Sequence, residues 1–155
     1  MKRQISIKKF NQEDFSSLYD FMRPIWLDTY SFLPIEQVQL LLDKYFSSEN
    51  LLSFVASGYE YYWIDDCAVL VIKKQDDYVY IDKLYLLPSC RGKGYPTAVF
   101  DWLLQFGKPL VLNVNVNNER AVKCYLKNGF KVVEEVVIEL GNGLINRDYV
   151  MRKEV

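Results

Sequence analysis

The sequence predicts an α/β fold: a mixed, mostly antiparallel sheet of about six to seven strands with helices on both faces. Three observations point there. Apolar residues recur at helical spacing through the first third of the chain, and from Tyr59 the pattern changes to short runs of β-branched and aromatic residues. From Pro88 onward, strand and helix patterns alternate before a closing hairpin. No internal repeat, low-complexity tract or charge block divides the 155 residues, so residues 1–155 are expected to form a single domain. A chain of this length can bury roughly 70 % of its unfolded surface in a core.

Residues 4–10 alternate, with Ile5 and Ile7 set between polar side chains, and predict a first strand. Asn11 then caps a helix whose apolar residues are Phe15, Leu18, Tyr19, Met22, Ile25 and Trp26; Pro24 should kink or end it. Pro34 suits the first turn of a second helix with Ile35, Val38, Leu41, Leu42 and Tyr45 on one face. Ser47, Ser48 and Glu49 offer another cap, and Leu51, Leu52 and Val55 suit a short third helix stopped by Gly58. The same apolar run at 51–56 also fits a strand. Residues 59–64, 67–74 and 78–87 predict an antiparallel meander. The turn from Pro88 to Pro96 precedes a helix through Val99, Phe100, Leu103 and Phe106 that stops at Gly107. That helix should start at Pro96, because proline biases Tyr95 away from helical geometry. A strand at 109–114, a helix at 118–128 and a hairpin of 131–140 with 144–152 around Gly141-Asn142-Gly143 complete the order.

Composition excludes several functions. Nineteen Lys+Arg against 20 Asp+Glu, a formal charge of −1, give no electrostatic case for a nucleic-acid partner. No apolar run approaches the ~20 residues of a membrane span, and Met1-Lys2-Arg3 leads into alternating residues, so neither a membrane partner nor a signal peptide is expected. With no histidine, Ser–His–Asp triads, Cys–His dyads and imidazole-bound metals are removed together. Acid–base work then falls to carboxylates, tyrosines, lysines or water. Cys67, Cys90 and Cys124 are odd in number and lack CxxC spacing, which argues against a zinc ribbon, against a disulfide framework, and for a reducing cytoplasm. No metal is expected. Cys90 precedes a glycine turn that can lower a thiol pKa, yet without a histidine partner a small structural cysteine is the better reading.

Two segments carry chemistry. Arg91-Gly92-Lys93-Gly94 lies between strand and helix, where a glycine turn aims backbone N–H groups outward and the helix dipole adds positive charge. Arg91 and Lys93 add full charges. The alternatives are a phosphate site and a solvated turn that uses glycine only for positive φ. Neither a Walker loop nor a dinucleotide fingerprint matches. In the second segment, Asn118 and Tyr125 stand seven residues apart, two helical turns, on one face. Each also has a structural reading, as an N-cap and as a core aromatic.

Together the two segments resemble the GCN5-related N-acetyltransferase (GNAT) family. Arg91–Pro96 is similar to that family's Q/R-x-x-G-x-G/A loop, and NERAVKCYLKNGF to its N-x-x-A-x-x-x-Y helix followed by Gly-Phe. Nearly the whole chain looks like the bacterial polyamine (spermidine/spermine) N-acetyltransferase subgroup. The supporting stretches are Trp26-Leu27-Asp28-Thr29-Tyr30, Ser57-Gly58-Tyr59-Glu60-Tyr61, Lys83-Leu84-Tyr85 and Gly141-Asn142-Gly143 with Asp148-Tyr149-Val150-Met151.

The resemblance implies a GNAT fold and direct acetyl transfer from acetyl-CoA to a primary amine of a small, polyamine-like molecule or a peptide. It implies that Arg91, Gly92, Lys93, Gly94, Tyr95, Pro96 and Thr97 hold the CoA pyrophosphate, and that Leu84, Tyr85 and Leu86 flank the pantetheine. Asn118 would contact the pantetheine side, and Tyr125 would lie beside the thioester sulfur as the acid. Trp26 and Tyr30 would line the amine site, where a cation beside aromatic faces gains about 0.5–2 kcal/mol; Trp26 also reads as ordinary core. A homodimer is the common assembly of relatives. Pro96 departs from the family's glycine or alanine and removes one N–H donor. Asp82 is the nearest candidate base by sequence, its other reading being a solvated strand carboxylate in an ion pair. A non-catalytic module binding CoA or a protein partner is the competing function.

Overall fold

The computed structural model describes residues 3–141 and 143–155. Met1 and Lys2, and Asn142 of the expected hairpin turn, lie outside the described residues. Among the described residues, seven strands form one sheet in the order β1-β2-β3-β4-β5-β7-β6. The chain divides into two compact units, Arg3–Ile72 with Lys83–Tyr95, and Lys73–Asp82 with Pro96–Val155.

The first unit begins with β1 (Ile7–Lys9), which pairs antiparallel with β2 (Tyr59–Ile64) in the register Ile7↔Ile64 to Lys9↔Tyr62. Three helices lie between them: α1 (Asp14–Thr29), α2 (Ile35–Phe46) and α3 (Ser48–Ala56). Asn11 and Asp14 bond reciprocally at the start of α1: Asn11 N–H donates to Asp14 Oδ2 at 2.8 Å, and Asp14 N–H to Asn11 Oδ1 at 3.0 Å. These bonds follow capping-box logic with an aspartate in the glutamate's place, but they close the turn ahead of the helix: the N-cap of α1 is Glu13, not Asn11, and it makes no side-chain cap bond.

Contrary to the expectation for Pro24, α1 runs unbroken through it. Pro24 and Asp20, whose carbonyl loses its partner, are both exposed, so water can satisfy that carbonyl. Meanwhile Leu18, Met22, Ile25 and Trp26 of α1 pack with Val38, Leu42 and Phe46 of α2, Leu51 of α3, Tyr61 of β2 and Val69 and Val71 of β3 (Ala68–Lys74). Each such fully buried side chain contributes roughly 1.5–3 kcal/mol, enough to outweigh one missing helix bond.

The 51–56 run is helical. Ser47 caps α3 by accepting from Asn50 N–H at 3.3 Å. Ile35, expected on the apolar face of α2, is instead 65 % exposed: the face turns through Val38, Leu42 and Phe46 and leaves the first residue outside it.

The expectation against a disulfide is corrected here. Cys67 and Cys90 are joined, with Cα atoms 5.9 Å apart, and Cys124 is free. An odd count only requires one cysteine to be left over. The pair is brought together by backbone, not by sequence spacing, since Leu87 N–H donates to Cys67 O at 2.9 Å.

The second unit contains the start of β4 (Val79–Leu86), then α4 (Tyr95–Leu104) from Pro96 on, β5 (Leu110–Asn115), α5 (Glu119–Lys127), β6 (Lys131–Gly141) and β7 (Leu144–Lys153). β4 and β5 are parallel, registered Val79↔Leu110, Tyr80↔Val111 and Ile81↔Leu112; both strands continue past that ladder. β7 pairs antiparallel with β5 on one side and β6 on the other. Phe100 and Phe130 are buried edge-to-face, ring centroids 5.0 Å apart, among Val99, Leu103, Leu110, Leu112 and Met151.

A further correction concerns α4, which starts at Tyr95 and not at Pro96. Its first N–H groups have no helical acceptor anyway, so proline at the second position costs no bond. Tyr95 is 2 % exposed, and that burial holds it in a geometry proline disfavours.

Candidate active site

The loop is built from its glycines. Gly92 takes φ +72° and Gly94 φ +83°, the left-handed region that only glycine enters without strain. A Cβ at Gly92 would meet nothing within 4 Å, so the loop's outer surface is open. Arg91 pairs with Asp28, at the end of α1, at 2.9 Å. That contact fixes the direction of a guanidinium that sequence placed on the loop. A Cβ at Gly94 would lie 3.7 Å from Arg3 Cβ. The Arg3 guanidinium stacks 4.3 Å from the centre of the Tyr95 ring and donates to Tyr95 Oη at 2.9 Å and Lys93 O at 3.5 Å.

The loop therefore has three cations about it, Arg3, Arg91 and Lys93. Sequence reasoning missed Arg3 and Asp28. Asp28 stood inside a quoted motif without a role, and Arg3 lies about ninety residues from its partners, beyond any local pattern.

Tyr95, expected to hold the pyrophosphate, buries its side chain beneath Arg3, which leaves only its backbone on the loop. Pro96 is in the first turn of α4 and has no N–H to offer. Thr97 is exposed, and its hydroxyl donates to Asn128 Oδ1 at 2.7 Å. Within the Arg3–Ile72 unit, Trp26 is 5 % exposed and surrounded by Tyr30 (5.0 Å), Phe46 (5.3 Å), Tyr45 (6.0 Å) and Tyr85 (6.2 Å). Trp26 is thus core, with its indole N–H buried and unbonded, whereas Tyr30 is partly exposed. Leu84, Tyr85 and Leu86 are partly buried on the last turns of β4.

In the other unit, Asn118 is the N-cap of α5 and accepts from Ala121 N–H at 3.3 Å. Tyr125 lies with its ring against Phe100 (6.0 Å) and Phe130 (5.6 Å). Burial pushes its phenol well above the ordinary 10.0, and the Cys124 charge adds to the shift. Tyr125 is therefore protonated throughout the neutral range. Burial also raises the Cys124 thiol, which makes it a poor nucleophile at neutral pH. Asp82, on β4, is partly buried and interacts with a neighbouring group. A surface hollow of about 600 Å³ is lined by Ser6, Lys8, Asp14, Phe21, Trp63, Asp65 and Asp66, none of them a site residue expected from sequence.

A glycine loop with three cations about it, ahead of a helix N-terminus, is an arrangement whose chemistry suits an anion. Residues 15–130 match the acetyltransferase (GNAT) family, and the chain belongs to it. It is 38 % identical over 74 residues to the peptidyl-lysine N-acetyltransferase YjaB of Escherichia coli, which is 46 % of this chain and 50 % of that one. The chain spans about half the length of the curated relatives it matches.

Among solved structures, the PaiA N-acetyltransferase of Thermoplasma acidophilum in complex with coenzyme A aligns with a TM-score of 0.71 and 22 % identity, over 99 % of this chain and 100 % of that one. Spermidine N-acetyltransferase of Vibrio cholerae in complex with CoA and spermine aligns with a TM-score of 0.65 and 15 % identity, over 97 % and 95 %. At those identities the likeness is one of fold.

Proposed function

We propose that the protein transfers an acetyl group from acetyl-CoA directly to a primary amine, on a polyamine-like small molecule or a peptidyl lysine. The observation that carries this reading is the open loop Arg91–Gly94, with two glycines at positive φ and Arg3, Arg91 and Lys93 about it. Those residues fit a pyrophosphate: backbone N–H groups and fixed guanidinium donors bind its oxygens, and open space lies where a side chain would block approach. The peptidyl-lysine activity of YjaB and the spermine in the Vibrio structure support a primary amine as acceptor.

When bound, acetyl-CoA supplies the acetyl group as a thioester. The N–H groups of Gly92 to Tyr95, the Arg91 and Lys93 side chains and the Thr97 backbone bind the phosphates. Leu84, Tyr85 and Leu86 offer strand backbone to the pantetheine amides, and Asn118 contacts the pantetheine side. Tyr125 holds its proton and gives it to the departing sulfur. The amine loses its proton to Asp82 or to water, and Tyr30 stands at the edge of the amine site with Trp26 behind it. No histidine is needed at any step. A cytoplasmic setting, where acetyl-CoA is made and used, belongs to the same reading.

Pro96 favours a second reading, a CoA-binding module without activity, because it removes one N–H from the loop. Calorimetry with acetyl-CoA and a thiol-release assay across polyamines and lysine peptides decide between them. Binding together with amine-dependent thiol release is the expected result. Binding without release from any amine leaves the module. Binding absent in the wild type and regained in Pro96→Gly marks a degenerate loop and overturns both readings for the natural chain.

A further inference from the structure

The disulfide lies directly before the loop. Cys67 follows the tight turn after β2, in which Asp65 takes φ +48°. Cys90 ends the short 3-10 turn Pro88–Cys90, and the next residues are Arg91 and Gly92. Backbone bonds already join the two places: Leu87 N–H to Cys67 O at 2.9 Å, Cys90 N–H to Leu87 O at 2.9 Å, and Arg91 N–H to Pro88 O at 3.3 Å. Cys90 is 6 % exposed, whereas Cys67 is only partly buried, so Cys67 is the more accessible half of the pair and the side from which attack is expected.

We propose that Cys67–Cys90 is a reversible thiol–disulfide exchange site whose oxidised form clamps the Arg91–Gly94 loop and raises its affinity for acetyl-CoA. The affinity half of this proposal rests on the reading of the loop given above. The partner is a dithiol reductant of the cytoplasmic kind, where disulfides are typically transient and redox-sensing. Its thiolate attacks Cys67 Sγ, the Cys67–Cys90 bond breaks, and Cys90 leaves as a thiolate that takes up a proton. The reductant's second thiol then displaces Cys67 as a thiol, so the reductant ends as a disulfide and the protein gains two electrons and two protons. Reoxidation by glutathione disulfide reverses the exchange, with two glutathione thiols released.

The physical link is preorganisation. With the bond intact, the residue before Arg91 is covalently fixed to the β2–β3 turn, so the loop starts from an anchored point. With the bond reduced, that covalent anchor is gone; the three backbone bonds, the Arg91–Asp28 pair and the Arg3 contacts remain, and ligand binding must order a looser loop.

The test uses the full chain, oxidised with glutathione disulfide or reduced with dithiothreitol, with the state of each cysteine read by alkylation and mass spectrometry. Acetyl-CoA is the titrant, since its thioester has no free thiol to exchange. Trypsin reports on the loop itself, because Arg91–Gly92 and Lys93–Gly94 are cleavable bonds within it. The oxidised protein should bind acetyl-CoA about three- to tenfold more tightly and be cut more slowly at those two bonds. Cys67→Ser and Cys90→Ser should behave as reduced under either condition, and Cys124→Ser should keep the response.

Equal affinity and equal cleavage in the two states would overturn the proposal. So would tighter binding by the reduced form, or failure of Cys67 and Cys90 to pair under oxidant. If acetyl-CoA binds in neither state, the functional reading falls, and the cleavage rates alone decide whether the pair clamps the loop.

Discussion

Tyr125 is half-buried with its phenol shielded from water, and that shielding has a definite consequence for its chemistry. Removal from water disfavours the phenolate, so the proton stays on well above the ordinary 10.0. An acid that must protonate a leaving thiolate gains from this, because it is in the right form at every pH below that point. If Tyr125 is the acid, Tyr125→Phe should lower kcat by about a hundredfold or more while leaving the affinity for acetyl-CoA within about twofold. In the wild type, the alkaline limb of kcat should not begin below about pH 10; a fall centred near pH 8 would assign the acid to another group. That Asn118 and Tyr125 share one helix was legible from their spacing, whereas the roles proposed for them came from the family resemblance. Arg3 and Asp28 were not: what brings them to the loop is tertiary packing, which leaves no trace in a local pattern.

At the scale of elements, the junction of β1 and β2 carries its own pH dependence. Tyr62 on β2 is 8 % exposed and donates its hydroxyl to Glu60 Oε1 at 3.0 Å, and Lys9 on β1 pairs with the same oxygen at 3.3 Å. Burial, with the Glu60 hydrogen bond and charge behind it, pushes the Tyr62 pKa up to about 12. The folded form therefore keeps this proton after an unfolded tyrosine, near 10, has lost it. Below pH 10 both states are protonated and the Tyr62 contribution is whole; it is lost as pH rises through about 12. Melting temperature should fall between pH 9 and 11.5, and Tyr62→Phe should show a shallower fall; identical slopes would remove Tyr62 from the account.

Element identity was largely readable from periodicity, and the departures have simple causes. Pro24 stays in α1 because its face is wet and the opposite face is core. Tyr95 enters α4 because burial outweighs a steric bias. The run at 51–56 became a helix through the Ser47 cap, which a strand could not use.

At the scale of the whole molecule, strand order was the least legible property. The closing hairpin was visible as a hairpin, but which of its strands pairs with β5 was not, because both mix short apolar runs with charged residues and neither shows a clear one-sided alternation. Met151, wholly buried on β7, and Val133, 57 % exposed on β6, mark the outcome. The disulfide was hidden because its halves stand before β3 and after β4, 23 residues apart, with no short spacing to mark them. Its effect on stability is separate from any effect on ligand binding. A cross-link closing a loop of that length removes chain entropy equivalent to roughly 3 kcal/mol from the unfolded state, an upper figure when the reduced chain retains structure. For a chain of this size, that corresponds to a melting temperature about 6–12 °C lower after reduction. Scanning calorimetry of the oxidised, reduced and Cys67→Ser proteins measures it without any cofactor present. Cys67→Ser should melt with the reduced wild type and be insensitive to dithiothreitol. A wild type whose melting point does not move on reduction would mean that the backbone bonds around Leu87 already hold the two turns together, and the cross-link then adds nothing to the fold.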